Sequence, residues 1–131
     1  MSEENIEITQ RMYAALADGD IEGFLAFVHP DVEFHSLILE IEGVFYGHKG
    51  VRKWWSGIRT AFPDWDPSIV SLRSVGDRVV VHALGSGSGA ASGVGLDKDF
   101  WQVAEFTDGL MTRYRALRTE QEALEAAGLS E

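Results

Sequence analysis

The sequence predicts an α+β fold in which an antiparallel sheet packs on helices. Patterns of helical period occupy the first half of the chain, whereas strand-like patterns follow one another without a helix from Ile69 to Leu117. Strands that follow a group of helices in this way form an antiparallel sheet in an α+β domain. The tail adds a short C-terminal helix, because Thr119 and Glu122 form a capping box and Gly128 stands where that helix would end.

Bulk properties favour one folded domain over residues 1–131. The chain has 131 residues, 45% of them hydrophobic, which suits a single packed core. It has no cysteine, so disulfides and thiolate chemistry are excluded. Its net charge of −10 disfavours nucleic acid and anionic membranes as partners. Because neither a signal peptide nor a membrane-spanning run is visible, we expect a cytoplasmic protein.

Three helices are predicted before the main run of strands. Ile6, Met12 and Leu16 recur at helical spacing, and Asp20 can cap the helix that follows the Asp18-Gly19 break. The residue before proline avoids helical geometry, so the second helix should end at His29-Pro30. The predicted helices extend from Glu3 to Ala17, from Ile21 to Val28, and from Val51 to Phe62.

Five strands complete the predicted order, with tight turns at Gly76-Asp77 and Asp108-Gly109. A loop or irregular hairpin is expected through Glu40 to Gly43. The glycine-rich segment from Gly85 to Gly95 lacks the ending of a phosphate loop, so we interpret it as a flexible or bulged hairpin. The predicted strands are Asp31–Ser36, Ile69–Val75, Arg78–Leu84, Phe100–Phe106 and Leu110–Leu117.

The order of short motifs resembles the nuclear transport factor 2-like superfamily, in its SnoaL-like branch, over nearly the whole chain. The motifs are Tyr13 to Asp20, His29 to Phe34, Tyr46 to Val51, Val103 to Gly109 and Glu122 to Leu129. The resemblance implies a cone-shaped α+β barrel, in which a strongly curved sheet wraps around three helices and encloses one deep pocket. It also implies a homodimer formed through the convex sheet face.

The resemblance assigns roles to three positions. In isomerase- and cyclase-like members, a carboxylate near the end of the first strand acts as general base, but Ser36 stands there in this chain. In ketosteroid isomerases an acid before the last hairpin turn stabilises an oxyanion, and Gln102 matches it. The amide of Gln102 can donate the same hydrogen bond, or it can be a buried amide satisfied by backbone. Tyr13 lies one residue from the family's tyrosine position and suits either that role or the core.

His82 is the best candidate base in the sequence. It lies within an apolar strand, where a histidine is either a satisfied core residue or an acid/base in the pocket. The four histidines lack metal-ligand spacing, so no metal and no cofactor is expected. Glu105 alternates with Trp101 and Val103 on the face that should be convex. The candidate catalytic residues are therefore His82, Gln102, Ser36 and Tyr13.

Aromatic residues should line the pocket, and a small hydrophobic molecule is the expected ligand. The expected lining residues are Phe34, Trp54, Trp55, Phe62, Phe100 and Tyr114. The family includes polyketide cyclases, ketosteroid isomerases, epoxide hydrolases and dehydratases, so the fold leaves the reaction open. One hypothesis is a cyclase-, isomerase- or dehydratase-type enzyme without a cofactor. The alternatives are a noncatalytic small-molecule binder and a dimerisation or accessory protein, which a pocket filled by Trp54 and Trp55 would favour.

Overall fold

The computed structural model describes residues 2–36, 43–88 and 95–128. In these ranges the elements are α1 (Ser2–Ala17), α2 (Ile21–Leu25), β1 (Val28–Ser36), β2 (Gly43–Tyr46), α3 (Gly47–Ala61), β3 (Asp66–Val75), β4 (Arg78–Ser88), β5 (Gly95–Thr107), β6 (Leu110–Leu117) and α4 (Glu120–Ala126). The predicted α+β class is confirmed. The short strand β2 is an addition to the predicted order, and it directly precedes α3.

The six strands form one curved, unclosed sheet in the order β2-β1-β6-β5-β4-β3. Strands β3 to β6 form an antiparallel meander, but β1 and β6 run parallel, with Phe34 opposite Tyr114. The sheet therefore differs at one pair from the wholly antiparallel arrangement that the sequence predicts. No short turn joins β1 to β6, so no hairpin couples their directions. Register shifts leave extra residues in β1, β3 and β6, which bend these strands and contribute to the curvature.

The two faces of the sheet pack on different helices. The face we call the inner face packs on α1, α2 and α3, and it contributes Val81, Ala104 and Phe106 to the main core. The opposite, outer face carries Val80 and Val103, which pack with Ala123 and Ala127 around α4. Successive strand residues alternate between these two environments. The side of the sheet on which a residue lies therefore follows from its position along the strand.

The second helix is shorter than predicted. It ends at Leu25, and β1 already begins at Val28, so Val28 and His29 belong to a strand. Pro30 is tolerated within β1 because the pairing with β6 is interrupted between Val28 and Glu33. A proline in such a gap removes no ladder hydrogen bond. Asp20 caps α2 as predicted, accepting a hydrogen bond from the Gly23 backbone N–H at 2.9 Å.

The described part of the glycine-rich segment belongs to the β4–β5 hairpin, and its pairing is regular, without the bulge that the sequence suggested. Gly85 pairs with Lys98, and Ser88 pairs with Gly95. Residues 89–94 lie outside the described part of the chain, as do residues 37–42 of the predicted loop through Glu40. The turn at Asp108-Gly109 has positive φ at both residues, +52° and +79°, as a two-residue hairpin turn requires.

The tail helix begins at the predicted cap. The Thr119 hydroxyl accepts a hydrogen bond from the Glu122 backbone N–H at 3.1 Å, while the Glu122 carboxylate accepts from the Arg118 N–H at 3.0 Å. The carboxylate thus bonds one residue earlier than a capping box would place it. Gly128 has a φ of +91°, as expected of the residue after a helix end.

Replacing the cap should weaken the anchoring of α4. We expect Thr119→Ala to lower the free energy of unfolding by about 1 kcal/mol, since a helix N–H loses its acceptor. Thr119→Ser keeps the hydroxyl and should stay within a few tenths of a kcal/mol of the parent. Chemical denaturation of the three proteins measures both differences. Equal losses in the two variants would show that the hydroxyl is not the stabilising group.

Candidate functional site

A small cavity lies between the inner face of the sheet and helices α1 and α3. Its volume is about 30 Å³. Ligand sites of ordinary size measure roughly 300–1,000 Å³, so this cavity has room for water but not for an aromatic ring. The residues that line it are Tyr13, Leu16, Trp54, Trp65, Pro67, Ala83, Gly85, Phe100, Gln102 and Tyr114. The deep, roomy pocket expected from the sequence is not what these residues enclose.

A hydrogen-bonded polar group forms one wall of the cavity. Gln102 is the polar member of an apolar strand face, between Phe100 and Ala104, and it is 7% exposed. The Tyr13 hydroxyl on α1 donates a hydrogen bond to the Gln102 side-chain oxygen. The partner of this buried amide is therefore a side chain rather than the backbone. Two of the candidate catalytic residues, far apart in sequence, are brought into contact.

The phenols beside Gln102 remain protonated. Burial raises the pKa of Tyr13 well above its ordinary value, and the neighbouring Tyr114 phenol raises it further. Burial also raises the pKa of Tyr114. A protonated phenol can donate a hydrogen bond but does not abstract a proton. This wall is therefore a source of donors.

The Gln102 carboxamide nitrogen has no hydrogen-bond acceptor among the described residues. A primary amide nitrogen carries two N–H donors. Because Tyr13 occupies the amide oxygen, it fixes the orientation of the amide and directs the nitrogen away from that bond. Gln102 can therefore donate to an oxygen atom placed in the cavity.

Packed aromatic rings surround this polar wall. Trp54 on α3 donates its indole N–H to the Ser36 hydroxyl at 3.1 Å, which fixes the ring. Phe34 stacks on Tyr114 with ring centroids 4.2 Å apart and contacts Trp54 at 4.5 Å. The lining therefore rests on a second layer of aromatic residues that holds it in place.

Half of the predicted lining residues line the cavity. Trp54, Phe100 and Tyr114 do so. Phe34 lies behind Tyr114, Trp55 lies beyond Trp54 with Arg59 over its ring, and Phe62 packs beside Trp65. The structure places these three outside the cavity wall, packed against rings that line it.

Sequence reasoning missed Trp65, Pro67, Ala83, Gly85 and Leu16 as lining residues. Strand alternation could have found two of them, since Ala83 and Gly85 follow Val81 on the same face. Trp65 lies in the connection between α3 and β3, where neither helical nor strand periodicity operates. The sequence therefore does not indicate which way the Trp65 side chain points.

Ser36 and His82 are not part of this cavity wall. The Ser36 hydroxyl accepts the Trp54 N–H, so it positions a lining ring instead of lining the cavity itself. His82 shares the outer face with Val80, stacks on Trp101 at 4.1 Å and contacts the Asp99 carboxylate at 2.6 Å. The candidate base His82 is therefore not brought to this cavity, because its position in β4 places it on the outer face.

The described residues offer neither a metal site nor a membrane span. No group of three or more His, Cys, Asp or Glu residues among them is arranged to hold a metal ion. No helix in the described ranges is long and apolar enough to cross a bilayer. Among the described lining residues none is Asp, Glu, His or Lys. The wall can donate hydrogen bonds, but none of these groups exchanges a proton near neutral pH.

Comparison with known proteins decides the family. A family model of the SnoaL-like domain matches residues 9–114. The chain belongs to the SnoaL-like family. This SnoaL-like chain is similar to TerC, which was co-crystallised with polyporic acid: the two are 27% identical, with a TM-score of 0.80 over 95% of this chain and 98% of TerC.

Two further structures share the SnoaL-like fold at lower identity. Bal32a, from a soil-derived mobile gene cassette, is 20% identical with a TM-score of 0.82, covering 95% of this chain and 96% of its own. A protein assigned as a SnoaL-like polyketide cyclase, from Jannaschia sp. CCS1, is 20% identical with a TM-score of 0.76, covering 96% and 92%. These likenesses show the fold alone. None of the curated proteins matches this SnoaL-like chain in sequence.

Proposed function

We propose that this protein binds a small, flat, hydrophobic molecule that carries an oxygen acceptor. Its apolar rings lie among the aromatic residues of the cone, and its oxygen accepts a hydrogen bond from the Gln102 amide. The observation that carries the proposal is the buried Gln102 side chain, oriented by Tyr13 and with an unused donor nitrogen beside an aromatic cavity. A donor nitrogen beside an apolar cavity is satisfied when a ligand supplies an acceptor.

The similarity to TerC supports the ligand class. That protein was co-crystallised with polyporic acid and is 27% identical to this chain over nearly all of both chains. Polyporic acid has quinone oxygens that accept hydrogen bonds and phenyl rings that are apolar, so it matches both parts of the proposed site. It is therefore a suitable probe, whether or not it is the natural ligand.

An enzyme of cyclase, isomerase or dehydratase type is the second candidate. The protonated phenol of Tyr114 and the Gln102 amide favour it, because such donors stabilise an oxyanion when they are held in place. The lining residues described here include no general base, which favours binding without catalysis. Incubation with polyporic acid, followed by its absorbance spectrum and by mass spectrometry, separates the two candidates. A new product would establish the enzyme.

Removing the donor should abolish the polar part of binding. We expect Gln102→Leu to weaken binding of polyporic acid about five- to thirtyfold in isothermal titration calorimetry, since the loss of one hydrogen bond corresponds to about 1–2 kcal/mol. The double variant Tyr13→Phe/Gln102→Leu also removes the Tyr13 hydroxyl, which would lose its Gln102 acceptor in the single variant. Gln10→Leu, on the exposed side of α1, is the matched control and should bind like the parent.

Two results would count against this function. If both Gln102 variants bind polyporic acid as tightly as the parent, with melting temperatures near the parent's, Gln102 is not part of the binding site. Absence of any heat of binding, both in the parent and in variants with a shortened lining side chain, would favour the dimerisation or accessory role. The homodimer through the convex face and the cytoplasmic location remain predictions. Sedimentation equilibrium of the parent tests the first of these.

A further inference from the structure

We infer that the Trp65 indole occupies the place of a ligand ring, and that ligand enters by displacing it. This inference rests on the proposed function and deepens it, since it names the residue that sets the size and flatness of the ligand. The indole is the part of the lining that moves, and the slot it fills is a subsite against the backbone of β4.

The volume of the cavity requires that a lining group move. With about 30 Å³ available, the space beside Gln102 holds no aromatic ring. A second void behind Tyr13 and Tyr114 measures about 10 Å³ and adds no usable room. Binding of any ring therefore needs the displacement of one of the large side chains around the cavity.

Most of the large lining rings are anchored, but Trp65 is not. Trp54 is held by its hydrogen bond to Ser36, and Tyr13 by its hydrogen bond to Gln102. Tyr114 is stacked on Phe34 and contacts Tyr13. The Trp65 indole N–H has no acceptor among the described residues, and its ring contacts are with Phe62 and Phe100 at centroid distances of 5.8 and 5.7 Å. Moving Trp65 thus breaks no side-chain hydrogen bond.

The position of Trp65 in the chain makes this movement inexpensive. Trp65 lies in the short connection between Ala61, the end of α3, and Asp66, the start of β3. Its backbone N–H donates a hydrogen bond to the Phe62 carbonyl at 3.0 Å, and strand β3 begins one residue later. Its side chain can rotate without disturbing the sheet ladder, as side chains in connecting segments commonly do.

Glycines in β4 form the slot that receives the indole. A Cβ atom on Gly85 would lie 2.3 Å from Trp65 Cη2, 2.5 Å from Trp65 Cζ2 and 2.8 Å from Phe100 Cε2, so only glycine lets these rings lie this close. At Gly87 the nearest Trp65 atoms would be 3.4 Å away, an ordinary contact. The absence of a side chain at Gly85 thereby lets the indole lie directly against the β4 backbone. A ligand ring of the same thickness fits the slot once the indole leaves.

Fluorine NMR can follow the indole directly. The chain has four tryptophans, so protein labelled with 5-fluorotryptophan should give four resonances, and Trp65→Phe identifies one of them. We expect polyporic acid to shift the Trp65 resonance to a solvent-exposed position while that of Trp101, on the outer face, stays unchanged. A Trp65 resonance that does not move while calorimetry shows binding would overturn the inference and leave the proposed function standing.

Replacing Trp65 with a shorter side chain tests by affinity whether the indole must move for ligand to bind. We expect Trp65→Leu to bind polyporic acid about tenfold more tightly, the factor that applies when the open state is populated about a tenth of the time in the parent. Trp101→Leu is the control for loss of an indole and should leave the affinity unchanged. Weaker binding by Trp65→Leu would mean that Trp65 stacks on the ligand, which contradicts the inference.

The outcomes separate the two proposals. Binding by Trp65→Leu but not by the parent supports both, because the indole then blocks a competent site. Binding by neither protein rejects the proposed function and the inference with it. Gly85→Ala tests the slot in the absence of ligand. Its Cβ should displace the Trp65 ring, so the Trp65 resonance should move to the position expected in the presence of ligand. In Gly87→Ala the resonance should stay where it is in the parent. An unmoved resonance in Gly85→Ala would contradict the slot.

Discussion

Phe34→Ala is expected to lower the free energy of unfolding by about 3–5 kcal/mol, the largest stability effect we predict. Phe34 is completely buried, stacks on Tyr114 and packs on Trp54 and Phe24. Its removal leaves a cavity that these rings cannot fill, because Trp54 is fixed by its bond to Ser36. Urea or guanidinium denaturation, followed by circular dichroism, measures the loss.

A second phenylalanine provides the comparison. Phe45 lies on the edge strand β2 and is only half-buried, so Phe45→Ala should cost clearly less than Phe34→Ala. The variant Phe34→Leu should recover part of the loss, since it restores apolar volume without the stacking on Tyr114. A cost below about 1.5 kcal/mol for Phe34→Ala would show that the aromatic layer behind the cavity repacks. A repacking layer would also weaken the view that Trp65 alone moves.

Hydrophobic periodicity in the sequence predicted most of the secondary structure. Apolar residues at helical spacing located α1 and α3, and the turn residues at Gly76-Asp77 and Asp108-Gly109 located the hairpins of the meander. These signals succeed because each is local: a helix face, a cap or a positive φ depends on a few neighbouring residues. The parallel pairing of β1 with β6 was not predictable in this way, since it joins strands that are distant in sequence.

The candidate site was only partly predictable. Alternation along β5 placed Gln102 on the inner face, and the structure gives it a partner, Tyr13, that no local pattern indicates. The same rule, applied to His82, points to the outer face, because Val81 and Ala83 belong to the core. His82 was a candidate because histidine can exchange protons near neutral pH, although its position in β4 indicates the outer face. For residues within strands, position was the better guide.

Glu105→Gln is expected to lower the free energy of unfolding by about 2 kcal/mol, because it removes the acid that three arginines share. Its Oε2 lies 3.4 Å from Arg115, 3.8 Å from Arg113 and 3.9 Å from Arg78, and its side chain is only 20% exposed. Burial lowers the pKa of Arg115, and the charge of Arg113 lowers it further. The guanidinium groups of these arginines therefore repel one another, and the negative charge of Glu105 offsets that repulsion.

The effect should extend to α4. Arg78 and Arg115 both donate hydrogen bonds to the Ala126 carbonyl, at 3.3 and 3.1 Å, so two of the arginines that pair with Glu105 also hold the end of α4. Without Glu105 their mutual repulsion increases and this double contact weakens. Hydrogen exchange in α4 should then accelerate more than exchange in β5, the strand that carries the substitution.

Glu22→Gln is the matched control, because Glu22 bonds Arg52 at 2.8 Å but the two side chains are 67% and 49% exposed. Solvated pairs contribute little, so this variant should cost less than about 1 kcal/mol. Added salt separates the two further: it screens the repulsion among arginines in Glu105→Gln and should recover part of its stability. Equal costs for the two substitutions would mean that water, not Glu105, solvates the arginines, and the outer face would then be held by its apolar contacts with Ala123 and Ala127.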